Sequence, residues 1–252
     1  MIVVPVRTDR TATSLLGRAS PLVTLAVAGG WLVALATTVN FGSPIFVAVV
    51  ALVAAVALGR VAPRDLARGL APLWLAALTV GLFNALLSPA NADSTAAVVV
   101  AIGPIRLTAP AVQAGLALAL RVVAIAAVGV AWSRVTDPTH LADALVQQAR
   151  LPDRFAYGAL AALQAIPWLA EDLIALREAR RIRGLRASWH PRVLVGLLVL
   201  AIRRADRLAV AMDARGFAGP GRTRFRVIHW SAADGVTALG GLLVLASILA
   251  LR

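Results

Sequence analysis

The chain of 252 residues contains no cysteine, and all 25 of its basic residues are arginine, so lysine is absent as well. Without cysteine there are no disulfides, no thiol nucleophile and no thiolate metal site. Without lysine there is no Walker-type phosphate loop and no Schiff-base chemistry, so the chain neither hydrolyses ATP by that route nor holds pyridoxal phosphate covalently. The three histidines, His140, His190 and His229, lie far apart in sequence, which makes a metal centre a poor expectation. Charge is also scarce: 15% of residues are charged against 60% hydrophobic, and the mean hydropathy is +0.83. No ordinary globular domain is this apolar, and the composition marks an integral membrane protein.

A bilayer span takes about 20 mostly apolar residues. Spans are expected near 21–39, 43–62, 70–87 and 110–132, with a closing span over 232–251. The first follows Arg7, Arg10 and Arg18 and is longer than a signal-peptide core, which favours an uncleaved first span. The second reaches full length only if Val61 and Ala62 extend it while Arg60 snorkels. Between the third and fourth spans a turn-rich stretch from Ser88 to Arg106 holds a strand-like piece, 96–102. The fold class expected is an all-α integral membrane protein of about five spans.

The composition changes over 133–230, where sixteen of the 25 arginines stand beside eight acids, a local charge of +8. Placing this insert in the cytoplasm with the N-terminus leaves only Arg106 and Arg252 outside, as the positive-inside rule requires. Making spans of 155–170 and 193–202 would move the arginines of 177–192 outside; the first holds Gln164 and Pro167, and the second is half a span. The insert instead reads as three amphipathic helices. The first starts at Asp137-Pro138, an N-cap followed by proline at the first helical position. The second runs from Asp153 to Arg183 through Pro167, and the third from Pro191 to Arg215. Leu194, Leu197, Leu198, Ala201, Leu208 and Met212 form an apolar stripe on the third. The domains are therefore 1–132, 133–230 and 231–252.

The second helix ends Ile182-Arg183-Gly184 and the third Ala214-Arg215-Gly216. Glycine just past a helix end and arginine near the negative pole of the dipole are ordinary capping devices. The same two ends also suit cations presented to acidic grooves of a partner, because arginine binds carboxylates bidentately. In the fourth span Arg121 is an ionised group near mid-membrane, either a functional group or a donor to carbonyls of neighbouring helices. Asn84 reads as interhelical glue. Two small-residue series at spacing four, Ala26/Gly30/Ala34 and Ala77/Gly81/Ala85, suit close helix packing. Arg222, Arg224 and Arg226 fit anionic headgroups of the bilayer. The aromatics near this charge are few (Trp189, Phe217 and Phe225), so nucleic acid is not an expected partner.

The run Thr136-Asp137-Pro138 with Leu141, then Ile166-Pro167 with Glu171 and 177–180, and above all 203–217 with Arg222-Thr223, carry a family likeness. Through them the chain resembles the transmembrane T component (EcfT/CbiQ-like) of energy-coupling factor (ECF) ABC-type transporters. The resemblance implies a non-catalytic subunit of a vitamin or metal-ion importer in the bacterial cytoplasmic membrane. It implies that two Ala-Arg-Gly signatures at the ends of coupling helices dock into two ABC-type ATPase subunits, which bind the MgATP, this chain binding no cofactor. It further implies that the helices support a small hydrophobic substrate-binding subunit, the S component. The second signature matches as Ala214, Arg215 and Gly216. The first carries Ile182 in place of alanine; Ala179-Arg180 lies one turn earlier, and Gly184 favours the later register. Arg180, Asp213, Phe217 and Arg222 are expected to support these contacts. The alternatives are a conventional ABC permease that lines its own pathway, against which the scarcity of polar residues in the spans argues, and an intramembrane enzyme.

Overall fold

The computed structural model describes residues 13–38, 40–93, 95–102, 105–185, 190–217, 219 and 226–250. Serine and proline set the first helix starts. Ser14 caps α1 (Leu15–Arg18), its Oγ accepting the Gly17 N–H at 3.0 Å, and Ser20 precedes Pro21 at the head of α2 (Pro21–Thr37). The helix α3 (Gly42–Ala57) stops five residues short of the expected end at 62, and the cause is local. Arg60 takes a left-handed φ of 51°, and Pro63 opens α4 (Pro63–Leu86), so the hydropathy of Val61 and Ala62 cannot prolong the helix. The first expected span likewise ends at Thr37, Val39 lying outside the described residues. With 17 and 16 residues, α2 and α3 are each about 25 Å long, short of a hydrocarbon core of about 30 Å.

A 3-10 turn, Pro89–Ala92, leads to the hairpin of β1 (Val98–Ile102) and β2 (Ile105–Thr108), paired antiparallel with Ala101 opposite Arg106 and an irregularity between Val98 and Val100. The strand-like piece is thus real, and its partner is the stretch around Arg106. Asn91 clamps this region. Its amide donates to the carbonyls of Ala85 and Leu86 at 2.7 and 3.1 Å, and its Oδ1 accepts the Thr108 N–H at 3.0 Å. In the same loop the Thr95 hydroxyl and N–H bond the Asp93 carboxylate and hold its pKa below the ordinary range.

The remaining helices are α5 (Ala109–Val135), α6 (Pro138–Gln147), α7 (Asp153–Ile182), α8 (Pro191–Ala214) and α9 (Ala232–Ala250). Among the described residues, four helical stretches are long and apolar enough to cross a membrane: α4 with its 3-10 turn, α5, α7 and α9. The chain divides into two compact units, one of residues 145–228 and the other of the flanking chain on both sides. The first begins later than 133 because α5 runs on to Val135, which with Ala131 belongs to the core of the other unit.

That other unit is a helical membrane bundle that also carries the β1–β2 hairpin. Its core joins Trp31 and Leu35 of α2, Val47, Ala51 and Ala55 of α3, Ala124 and Val128 of α5 and Ile248 of α9. In lipid, helices gain little from hydrophobicity and associate through close packing of small residues. Here α4 meets α5 through Gly81 and Ala85 against Gly115 and Ala119: a Cβ on Gly115 would stand 2.8 Å from the Ala85 Cβ and against the Gly81 carbonyl. The series Ala77/Gly81/Ala85 is buried. The series Ala26/Gly30/Ala34 is not a seam, since a Cβ on Gly30 would meet nothing within 4 Å. Asn84 is exposed.

Candidate coupling site

The unit 145–228 is built around α7 and α8. Proline and an acid open α7, with Pro152 at its N-cap and Asp153 in its first turn; His190 caps α8, its Nδ1 accepting the Arg192 N–H at 3.2 Å. Three contacts fix how the helices pair. Leu176 lies 3.7 Å from where a Cβ on Gly196 would stand. Asp172 and Arg204 form a 2.9 Å ion pair, with the Arg204 guanidinium also over the Trp168 ring at 5.8 Å. Tyr157 and Phe217 meet edge to face with centroids 6.2 Å apart. As positions rise on α8 their partners fall on α7, so the pair is antiparallel.

Each helix closes in the same way. At the end of α7 the Gly184 N–H donates to the Arg181 carbonyl at 3.0 Å and the Leu185 N–H to the Arg180 carbonyl at 3.2 Å. At the end of α8 the Gly216 N–H donates to the Asp213 carbonyl at 2.9 Å and the Phe217 N–H to the Met212 carbonyl at 3.0 Å. Both are Schellman closures, and Gly184 and Gly216 share a φ of +73°, where a side chain would be strained. The two closures correspond position by position, Ile182 with Ala214, Arg183 with Arg215 and Gly184 with Gly216. All six are exposed, Ile182 by 87%.

Because the helices are antiparallel, these ends lie at opposite ends of the pair. Phe217 touches Tyr157, and from Tyr157 to Ile182 the helix advances roughly 37 Å at about 1.5 Å per residue. Two arginine-glycine ends so far apart cannot share one groove. Of the supporting residues, Arg180 and Asp213 contribute the carbonyls just named and Phe217 adds its ring contact, while Arg222 lies outside the described residues. The apolar stripe of α8 divides: Leu197, Ala201 and Met212 are half-buried, whereas Leu194, Leu198 and Leu208 are exposed.

Arg121 belongs to the other unit. Its Nη2 donates to the carbonyl of Thr38, the residue that ends α2, and its Nε is buried without a partner among the described residues. A cation there meets the negative end of a helix dipole and one of its orphan carbonyls.

Three arrangements are not legible in the sequence. Gln147 donates to the Arg226 carbonyl at 2.8 Å and accepts the Ile228 N–H at 2.9 Å, closing the unit at its two chain ends. Asp234 is buried and accepts N–H groups of Ser20 and Ser231, tying the start of α2 to that of α9. The pair Asp172 and Arg204 locks the helix hairpin. In each case the partners are distant in sequence or belong to the backbone, so no motif announces them.

Comparison with known proteins places this architecture. The family model described as cobalt transport protein, CbiQ, matches residues 12–227. The energy-coupling factor transporter transmembrane protein EcfT of Listeria innocua is 30% identical over 185 residues, 66% of this chain and 68% of that protein. The protein of the same name from Heliobacterium modesticaldum is 30% identical over 210 residues, 77% of this chain and 74% of its own. A Bifidobacterium longum protein named a putative ABC transporter ATP-binding protein is 25% identical over 265 aligned residues, which cover 98% of this chain and 33% of that protein. The chain therefore belongs to the CbiQ family and is a multi-pass transmembrane component of the energy-coupling factor transporter type.

Proposed function

We propose that this chain is the non-catalytic coupling subunit of an importer, receiving the motion of two cytoplasmic ABC-type ATPase subunits through Arg183 and Arg215. It passes that motion to a separate substrate-binding membrane subunit that captures a vitamin or metal ion. The observation that carries this reading is the repeated helix end: two exposed arginine-glycine closures of the same geometry, roughly 37 Å apart, suit two related grooves on two subunits. ATPase closure moves the two grooves together, and a helix wedged into each converts that closure into displacement of the pair. The match to part of a protein named an ATP-binding protein supports the ATPase partner, and the family description supports a metal ion among the substrates. The exposed apolar face of α8, with Leu198 60% exposed, is the surface offered to the substrate-binding subunit.

This reading places 145–228 and the N-terminus in the cytoplasm. Although α7 has the length and hydropathy of a span, it pairs with α8, whose interior carries Arg203, Arg204, Asp206 and Arg207. The test is co-purification from native membranes in mild detergent. Wild type is expected to bring down two P-loop ATPase subunits and a small hydrophobic protein. Arg183→Glu/Arg215→Glu is expected to lose the ATPases and abolish uptake while keeping the helical content of the wild type. Full transport by the double variant would reduce the two ends to helix caps.

A further inference from the structure

Packing contacts fix the relative heights of the helices in the membrane bundle. A Cβ on Gly59 would stand 2.9 Å from the Val135 Cγ2, so the end of α3 is level with the end of α5. Arg121, half-way along α5, donates to the carbonyl of Thr38, so the α2–α3 turn is level with the middle of α5. Helix α9 runs alongside α2: Asp234 accepts the Ser20 N–H, the Gly241 carbonyl accepts from Trp31 Nε1 at 3.0 Å, and Ile248 shares the core with Leu35. Its end at Ala250 therefore comes to the height of the turn. Among the described helices, α4 and α5 alone go on past this level. Gly69 faces Val130 and Ala85 faces Gly115, which sets Arg121 level with the turn of α4 that holds Leu78. From there α4 advances roughly 13 Å to Leu87 and α5 roughly 18 Å to Ala109, at about 1.5 Å per residue. This extra height is apolar on its outside, with Leu78, Leu82, Phe83 and Leu87 of α4 and Leu116 of α5 exposed.

A flat bilayer that covers those side chains would sink the α2–α3 turn deep into hydrocarbon. Irregular backbone facing lipid does not occur at such depth, because its N–H and C=O groups find no water, and an arginine there is costly. Protein does not wrap the turn, since Thr37 and Phe41 on its two sides are exposed. Thinning a leaflet costs far less per ångström than either burial. We infer that the bundle stands in a stepped bilayer. On the side of the β1–β2 hairpin, the leaflet beside α2, α3 and α9 is thinned, so that phospholipid headgroups and water come down to the α2–α3 turn and Arg121, while the leaflet along α4 keeps its full thickness. Arg121 is then an interfacial cation, although it lies in the middle of its helix. The step follows from helix heights alone and is the same whichever way the chain is inserted.

Because the chain has no cysteine, nitroxide labels on single introduced cysteines read the depth of each site in the full-length protein reconstituted in phosphatidylcholine vesicles. Phe41→Cys and Thr37→Cys report on the turn; Leu82→Cys and Leu116→Cys report on the taller pair beyond it, and all four positions are exposed. Power saturation compares collision with oxygen, which concentrates in hydrocarbon, and with a water-soluble nickel chelate. The two turn labels are expected to meet nickel about fivefold more than Leu82→Cys and Leu116→Cys, which favour oxygen. Turn labels that favour oxygen would mean a flat bilayer over the turn. Nickel access at all four sites would mean that α4 and α5 stand out of the bilayer, and turn labels shielded from both reagents would mean that protein covers the turn. Each of these three results overturns the inference.

Discussion

Asp234 shows how much one side chain can hold in a bundle with little charge. It is 4% exposed and accepts backbone N–H groups at the starts of two helices, one of them 214 residues away in sequence. Its value lies less in the bonds made than in the orphans left without it, since an unsatisfied buried donor costs about 1–3 kcal/mol. Asp234→Ala is therefore expected to destabilise the bundle by about 2 kcal/mol or more, with Asp234→Asn, which keeps one acceptor oxygen, intermediate. Thermal unfolding of the detergent-solubilised protein measures the order. Arg121 works at the opposite end of α2, on the carbonyl of Thr38. The sequence shows an arginine in mid-span and the cost that implies; the helix end beside it comes from another part of the chain, so only the fold supplies the partner.

At the scale of elements, two glycines do different work. Gly115 is needed for what stands across from it, the Ala85 Cβ and the Gly81 carbonyl, while Gly184 is needed for its own φ of +73°, with nothing within 4 Å of an added Cβ. Gly115→Ala is expected to push α4 from α5 and cost about 1–3 kcal/mol, as overpacking does. Gly184→Ala is expected to cost about 1 kcal/mol through left-handed backbone strain alone. Hydrogen exchange separates them: the first raises exchange along α4 and α5, the second only around 181–185. Identical changes at both sites would refute the distinction. Glycine past the last arginine of a helix is legible as a closure from the sequence alone. The α4–α5 seam is legible there only as one of two similar series, because an alanine-rich chain repeats such spacings where no helix approaches.

For the whole molecule, the absence of cysteine becomes a tool, since any single introduced cysteine reports without background. Arg106 in β2 and Leu185 beyond α7 are both exposed. With the orientation proposed above, Arg106→Cys is expected to react with a membrane-impermeant maleimide in intact cells. Leu185→Cys is expected to react only after permeabilisation. Labelling of Leu185→Cys in intact cells at the rate of Arg106→Cys would invert the orientation and with it the coupling scheme. Within the helical unit, Asp172, Arg204 and Trp168 hold α7 to α8 between the two arginine ends.

By itself the sequence determined that this is a helical membrane protein, where most of its long helices begin, and which two helix ends carry arginine and glycine; α4 begins at Pro63, seven residues before the apolar run that announced it. Those are local matters of hydropathy, proline and capping, written within a few residues of where they act. Tertiary structure decided the rest. Helix α3 stops at Ala57 because the backbone turns at Arg60, and the two signatures stand far apart because α7 and α8 run antiparallel. Each of these depends on a backbone angle or on partners distant in the chain, such as Asp172 with Arg204 and Tyr157 with Phe217. Hydrophobic periodicity, which is blind to both, cannot encode them.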